Sequence, residues 1–92
     1  MADFRIPETE APSTTALGRI IRNKRRASLL RIDDAAALSS VSVDLLSRLE
    51  NGASGVSTSR VLQVLDALGL AMLVVDKEKV PRLRSLLDRS DR

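Results

Sequence analysis

Hydrophobic positions recur at helical spacing through the first two thirds of this chain and then change character. Leu17, Ile20 and Ile21 fall at the i, i+3, i+4 interval of a helix expected over about residues 15–28. A second helix is expected over about 32–38. Asp33 and Asp34 sit in its first turn, where negative charge suits the helix dipole, and Ala35, Ala36 and Ala37 are small enough to let another helix approach closely. A third begins after Ser42. Val41, Leu45, Leu46 and Leu49 fall on one side of its 3.6-residue repeat, while Val43, Asp44, Ser47 and Arg48 fall together on the other. This is a short helix with a buried stripe and an exposed contact face. Ser42 can cap it by accepting from the free amides of the first turn, and Gly52 can take the left-handed geometry that ends a helix. A fourth helix, over about 58–68, buries Val61, Leu62, Leu65 and Leu68 before Gly69 stops it.

Past Gly69 the pattern becomes a continuous apolar run, Leu70, Ala71, Met72, Leu73, Val74 and Val75, ended by Asp76. Its length and β-branched end favour a strand, and because both alternating faces are apolar it should be covered on both sides. No second strand is evident, and a buried strand without a partner leaves its amides and carbonyls unsatisfied. Pairing with the same strand of a second copy, as an antiparallel ribbon across a two-fold axis, solves this and makes Leu70, Met72, Leu73, Val74 and Val75 a dimer interface. The alternatives are an irregular core segment, or pairing with the arm around Phe4 and Ile6. In the tail from Lys77, Pro81 suits a helix start, with Val80, Leu83, Leu86 and Leu87 on one side and Arg82, Arg84 and Arg89 near them. Residues 1–13 are acidic, contain Pro7 and Pro12, and read as a flexible arm. The expected division is an arm (1–13), a helical domain (14–69), a dimerising strand (70–76) and a C-terminal helix or tail (77–92).

Composition narrows the function. Ninety-two residues make one domain near the size where a single core is only marginally stabilising, so oligomerisation is expected. The chain has no cysteine and no histidine, which removes thiolate metal sites, disulfides and the commonest general base. No spaced carboxylate pair, phosphate-binding glycine loop or activated nucleophile appears either, so an enzyme, a cofactor and a metal site are not expected. No apolar run approaches the roughly 20 residues that cross a bilayer, and the N-terminus lacks the basic-then-hydrophobic order of a secretory signal; a cytoplasmic protein is expected. Net charge is only +3, but residues 19–26 hold Arg19, Arg22, Lys24, Arg25 and Arg26 without one acidic residue. Such a cluster is either a solvated helix face or a site for duplex phosphates, whose neutralisation releases condensed counterions. Phe4 is the sole aromatic, which argues against single-stranded or RNA targets bound by base stacking.

Leu17-Gly18, Ile21-Arg22 and Arg25, then Leu30, Ala36, Val41-Ser42 and finally Ser47-Arg48-Leu49-Glu50-Asn51-Gly52 together resemble the Cro/CI-type helix-turn-helix family, also called XRE, over residues 17–68. The resemblance implies a mainly α fold, a compact four- to five-helix domain whose third helix enters the DNA major groove, here with one C-terminal β-strand pairing across a homodimer. By position, Val43, Asp44, Ser47 and Arg48 would read base edges, while Arg19, Arg22, Arg26, Ser42 and Asn51 would hold phosphates. It also implies that Arg25 and Glu50 pair inside the fold. The chain departs from the family in carrying Ile32 where a phosphate-gripping glutamine is usual, Asp33 and Asp34 directly after it, and Ser40 in place of the turn glycine. Asp44 can accept from cytosine N4, yet it adds little affinity beside phosphates.

The order of helix-turn-helix domain, A-L-G-L at 67–70 and hydrophobic strand resembles the HipB antitoxins within that family. This implies a dimeric repressor of its own operon that also holds a HipA-like kinase toxin. The expected partners are therefore a double-stranded DNA operator, a second copy of the chain and such a kinase, with no membrane. Alternatives are a stand-alone or phage-type XRE regulator, or a protein-interaction module whose DNA contacts have weakened at Ile32, Asp33, Asp34 and Asp44.

Overall fold

The computed structural model describes residues 13–90. The expected N-terminal arm, and with it the pairing of 70–75 with Phe4 and Ile6, lies outside the described residues except for Ser13. Five α-helices follow in order: α1 (Thr14–Ala27), α2 (Ile32–Ser39), α3 (Val43–Glu50), α4 (Thr58–Ala67) and α5 (Val80–Ser90), the last preceded by a 3-10 turn at Lys77–Lys79. Serine opens three of them. The hydroxyls of Ser13, Ser42 and Ser57 each accept from the amide three residues on, at Ala16, Leu45 and Arg60, satisfying a donor that has no partner within the helix. α2 starts on Arg31 without a side-chain cap and has Asp33 and Asp34 in its first turn instead.

Each of α1–α4 closes with the same pair of backbone hydrogen bonds, a wider one reaching back five residues and a narrower one reaching back three, around one residue in the left-handed region. In α3 and α4 that residue is Gly52 (φ 77°) or Gly69 (φ 74°), as the sequence suggests. In α1 it is Leu29 (φ 58°) and in α2 it is Ser40 (φ 57°), where a Cβ makes the same geometry costly.

The core gathers Ile21 from α1, Ala35 and Ala36 from α2, Leu46 and Leu49 from α3, and Val61, Val64, Leu65 and Leu68 from α4 and its C-cap. Fully burying a leucine such as Leu46 contributes about 1.5–3 kcal/mol, and cutting it back to alanine costs about 2–5 kcal/mol. Two expectations are corrected. Leu62 is exposed and Val64 takes its place inside, because the stripe at i, i+3, i+4, i+7 runs through 61, 64, 65 and 68, and Leu62 points about a quarter-turn away. Ala37 is also exposed, so the close approach of α2 runs through Ala35 and Ala36 alone. α1 meets α3 at Gly18, where a Cβ would lie 2.8 Å from the Glu50 carbonyl oxygen and closer still to that of Leu49. No side chain fits there.

Leu70 packs against this core, and from Ala71 onward the apolar run leaves it. Residues 71–76 carry no regular secondary structure and are exposed, Val74 to 91 %. No strand forms in the single chain, since no partner strand is present among the described residues to take its peptide hydrogen bonds. α5 carries Val80, Leu86 and Leu87 exposed and Leu83 half-buried. No helix among the described residues is long and apolar enough to cross a membrane.

Candidate nucleic-acid interface

α3 divides cleanly along its length. Leu46, Leu49 and Glu50 are buried and Leu45 is half-buried, whereas Val43, Asp44 and Arg48 are exposed and Ser47 lies at the boundary. The four expected base-reading side chains thus share the outward flank, with Ser42 exposed at the N-cap just before them.

The inward side of α3 ends on a charge. Glu50 has its side chain 1 % exposed, yet it carries a carboxylate, which burial makes costly unless it is paired. Arg25 from α1 supplies the pairing with two donors, Nε to Oε2 at 2.6 Å and Nη2 to Oε1 at 2.9 Å. Its Nη1 donates to the Leu30 carbonyl at 3.0 Å and so ties down the loop between α1 and α2. Hydrogen bonding to Glu50 raises the Arg25 pKa above its ordinary value against the opposing pull of burial, and the carboxylate charge adds to the rise. Arg25 therefore stays charged.

Arg22 reaches the same carboxylate more weakly, Nε to Oε1 at 3.4 Å, and its Nη2 donates to Asn51 Oδ1 at 3.0 Å. Asn51 in turn donates from Nδ2 to the Ser47 carbonyl at 2.8 Å. Gly18, Arg22 and Arg25 lie at i, i+4 and i+7 on α1, so one stripe of that helix provides both the close backbone approach and the two arginines that meet Glu50. Of the residues expected on phosphates, Arg22 and Asn51 are hydrogen-bonded to each other, Arg19 and Arg26 lie on the exposed side of α1, and Ser42 caps α3.

The turn between α2 and α3 has a support that periodicity does not reveal. Gln63 of α4 donates from Nε2 to the Ser39 carbonyl at 2.6 Å and, more weakly, to that of Ser40 at 3.3 Å. The Ser39 hydroxyl is turned inward and donates to the Ala35 carbonyl at 2.8 Å. Two buried or half-buried polar contacts therefore hold the bend in which Ser40 takes its left-handed conformation.

A family model described as a helix-turn-helix domain matches residues 16–76. The chain belongs to this family. No curated protein matches the chain. In this helix-turn-helix, α2 is the first helix, residues 40–42 form the turn and α3 is the second helix, the element that in this motif enters the major groove. Ile32, Asp33 and Asp34 begin α2; both aspartates are exposed, and Asp33 faces Arg31 at 3.3 Å in a solvent-exposed pair. The exposed run at 72–75 follows α4 and its cap, within the matched span up to Asp76.

Proposed function

We propose that this helix-turn-helix protein is a sequence-specific, double-stranded DNA-binding repressor that acts as a homodimer. The observation that carries the reading is the outward flank of α3. Val43, Asp44, Ser47 and Arg48 are free of the core on the helix that the motif lays in the major groove, and they are chemically mixed enough to tell base pairs apart. Arg48 suits guanine O6 and N7, Asp44 suits cytosine N4, and Val43 suits a thymine methyl. Arg19, Arg26 and Ser42 would hold phosphates and fix the register. Arg22 and Asn51 would do so only by sharing groups already engaged with Glu50 and Ser47.

Dimerisation rests on Leu70, Met72, Leu73, Val74 and Val75. This run is half-buried at Leu70 and exposed over the other four, and a second copy of it would cover the side chains and pair the peptide groups at once. Two α3 helices would then meet half-sites about 34–36 Å apart or a multiple of that. The finer reading is an antitoxin and autorepressor of a HipBA-like operon, with a HipA-like kinase as second partner. It rests on the sequence resemblance of 64–70 and the apolar run.

The test is selection of duplexes from a random library by the full chain, followed by titration against salt. One preferred site, surviving competitor DNA and losing affinity steeply with salt, supports the repressor. Weak binding indifferent to sequence supports the second reading, an interaction module. That reading is favoured by the engagement of Arg22 with Glu50 and by the exposed carboxylates of Asp33, Asp34 and Asp44.

A further inference from the structure

Resting on the duplex-binding reading above, we propose that Arg60 is a phosphate-holding residue of this interface, positioned by Gln63 at the start of the reading helix. Arg60 lies in the first turn of α4, outside the basic run of α1. It is exposed, and its Nη1 donates to Gln63 Oε1 at 3.3 Å. Gln63 uses the other end of its amide to grip the carbonyls of Ser39 and Ser40, the last residues before Val41 and the cap Ser42. One neutral side chain therefore links a guanidinium on α4 to the bend that launches α3.

Charge decides what that guanidinium is for. Arg25 and Arg22 share the Glu50 carboxylate, and Arg31 faces Asp33. Arg60 instead meets an amide among the described residues, so its charge is held in place without being neutralised. A cation fixed by a neutral tether beside the N-terminus of a groove-entering helix is placed for the phosphates that flank the groove. Its fork of donors matches two phosphate oxygens better than a flexible ammonium does. Arg60 would also make up for two contacts weakened elsewhere, the Ile32 position at the start of α2 and the internally occupied Arg22.

The test uses the full chain and one duplex recovered by wild type from a random library, titrated between about 50 and 200 mM salt. Arg60→Ala and Arg60→Gln are expected to flatten the slope of log affinity against log salt by about one, so that the advantage of wild type shrinks about three- to four-fold across that range. Site preference and Tm stay unchanged, and Arg60→Lys keeps the steeper slope. If wild type binds steeply and specifically while both neutral variants keep its slope, Arg60 is not on a phosphate, although the repressor reading stands. Altered base preference in those variants at unchanged slope would overturn it in favour of base contact. A wild type that shows no salt-dependent duplex binding sinks the repressor reading, and this inference with it.

Discussion

The four left-handed helix ends make a matched set in which substitutions of opposite kind should move stability in opposite directions. At Leu29 and Ser40 the backbone sits at φ 58° and 57° with a Cβ in place. That costs about 1–2 kcal/mol, while glycine returns about 0.5–1 kcal/mol through the greater freedom of the unfolded chain. Leu29 is 93 % exposed, so truncating it forfeits no burial, and the contact from Gln63 goes to the Ser40 carbonyl, not its hydroxyl. Leu29→Gly and Ser40→Gly are each expected to stabilise by about 0.5–1 kcal/mol, a rise of roughly 2–8 °C in Tm for a domain of this size. The reverse change at Gly69 (φ 74°), where a Cβ meets nothing within 4 Å, should cost about 1 kcal/mol from conformation alone. At Gly52 the added Cβ would lie 2.8 Å from the Thr15 Cα, a backbone atom that cannot swing aside, so Gly52→Ala should cost about 1–3 kcal/mol more than Gly69→Ala. Urea and thermal unfolding of the four variants provide the measurement. Loss of stability in Leu29→Gly, or equal losses at Gly52 and Gly69, would refute the reasoning.

Glu50→Ala should cost about 3–5 kcal/mol by leaving Arg25 unpaired in a nearly buried position, whereas Arg22→Ala, removing a longer and more exposed partner, should cost about 1 kcal/mol or less; denaturant midpoints that rank them the other way would contradict the division of labour. Arg48→Ala is expected to lose about 1–3 kcal/mol of specific DNA binding with Tm unchanged, and a matching loss of folding stability would mark Arg48 as structural. Val74→Asp should leave the helical domain folded by circular dichroism but monomeric, because a carboxylate would enter a dry interface; a light-scattering mass equal to that of a dimeric wild type rules out the ribbon.

What the sequence revealed divides by the range of the interactions involved. Ser42 and Gly52 were legible because a cap and a left-handed stop are local matters in which one residue type suits one geometry. Leu29 and Ser40 take the same stop without the usual residue, and only backbone coordinates expose that. In α4 a leucine at 62 is as apolar as a valine at 64, so composition did not separate them although the phase of the helix does. Periodicity places Glu50 at the end of an amphipathic helix without telling a solvated carboxylate from a paired one; its bond to Arg25 was anticipated through family resemblance. Gln63 carries no such signal, because a glutamine on a half-exposed helix looks like solvent-facing filler and the backbone carbonyls it grips lie 23 and 24 residues away. The apolar run at 70–75 announces a need for cover, and among the described residues only its first member, Leu70, finds it on the core.

The division of α3 separates the residues that anchor it from those it offers. Leu46, Leu49 and Glu50 fasten the helix from behind, and the Gln63 amide secures its approach through main-chain atoms, which are the same whatever residues occupy 43, 44, 47 and 48. On the proposed repressor reading, those four positions are exchangeable as a block, so that a replaced set should select a different duplex site while folding stability stays close to that of the parent. Grafting a foreign set onto this scaffold is a matter of choosing side chains for the groove, with the architecture behind them left untouched.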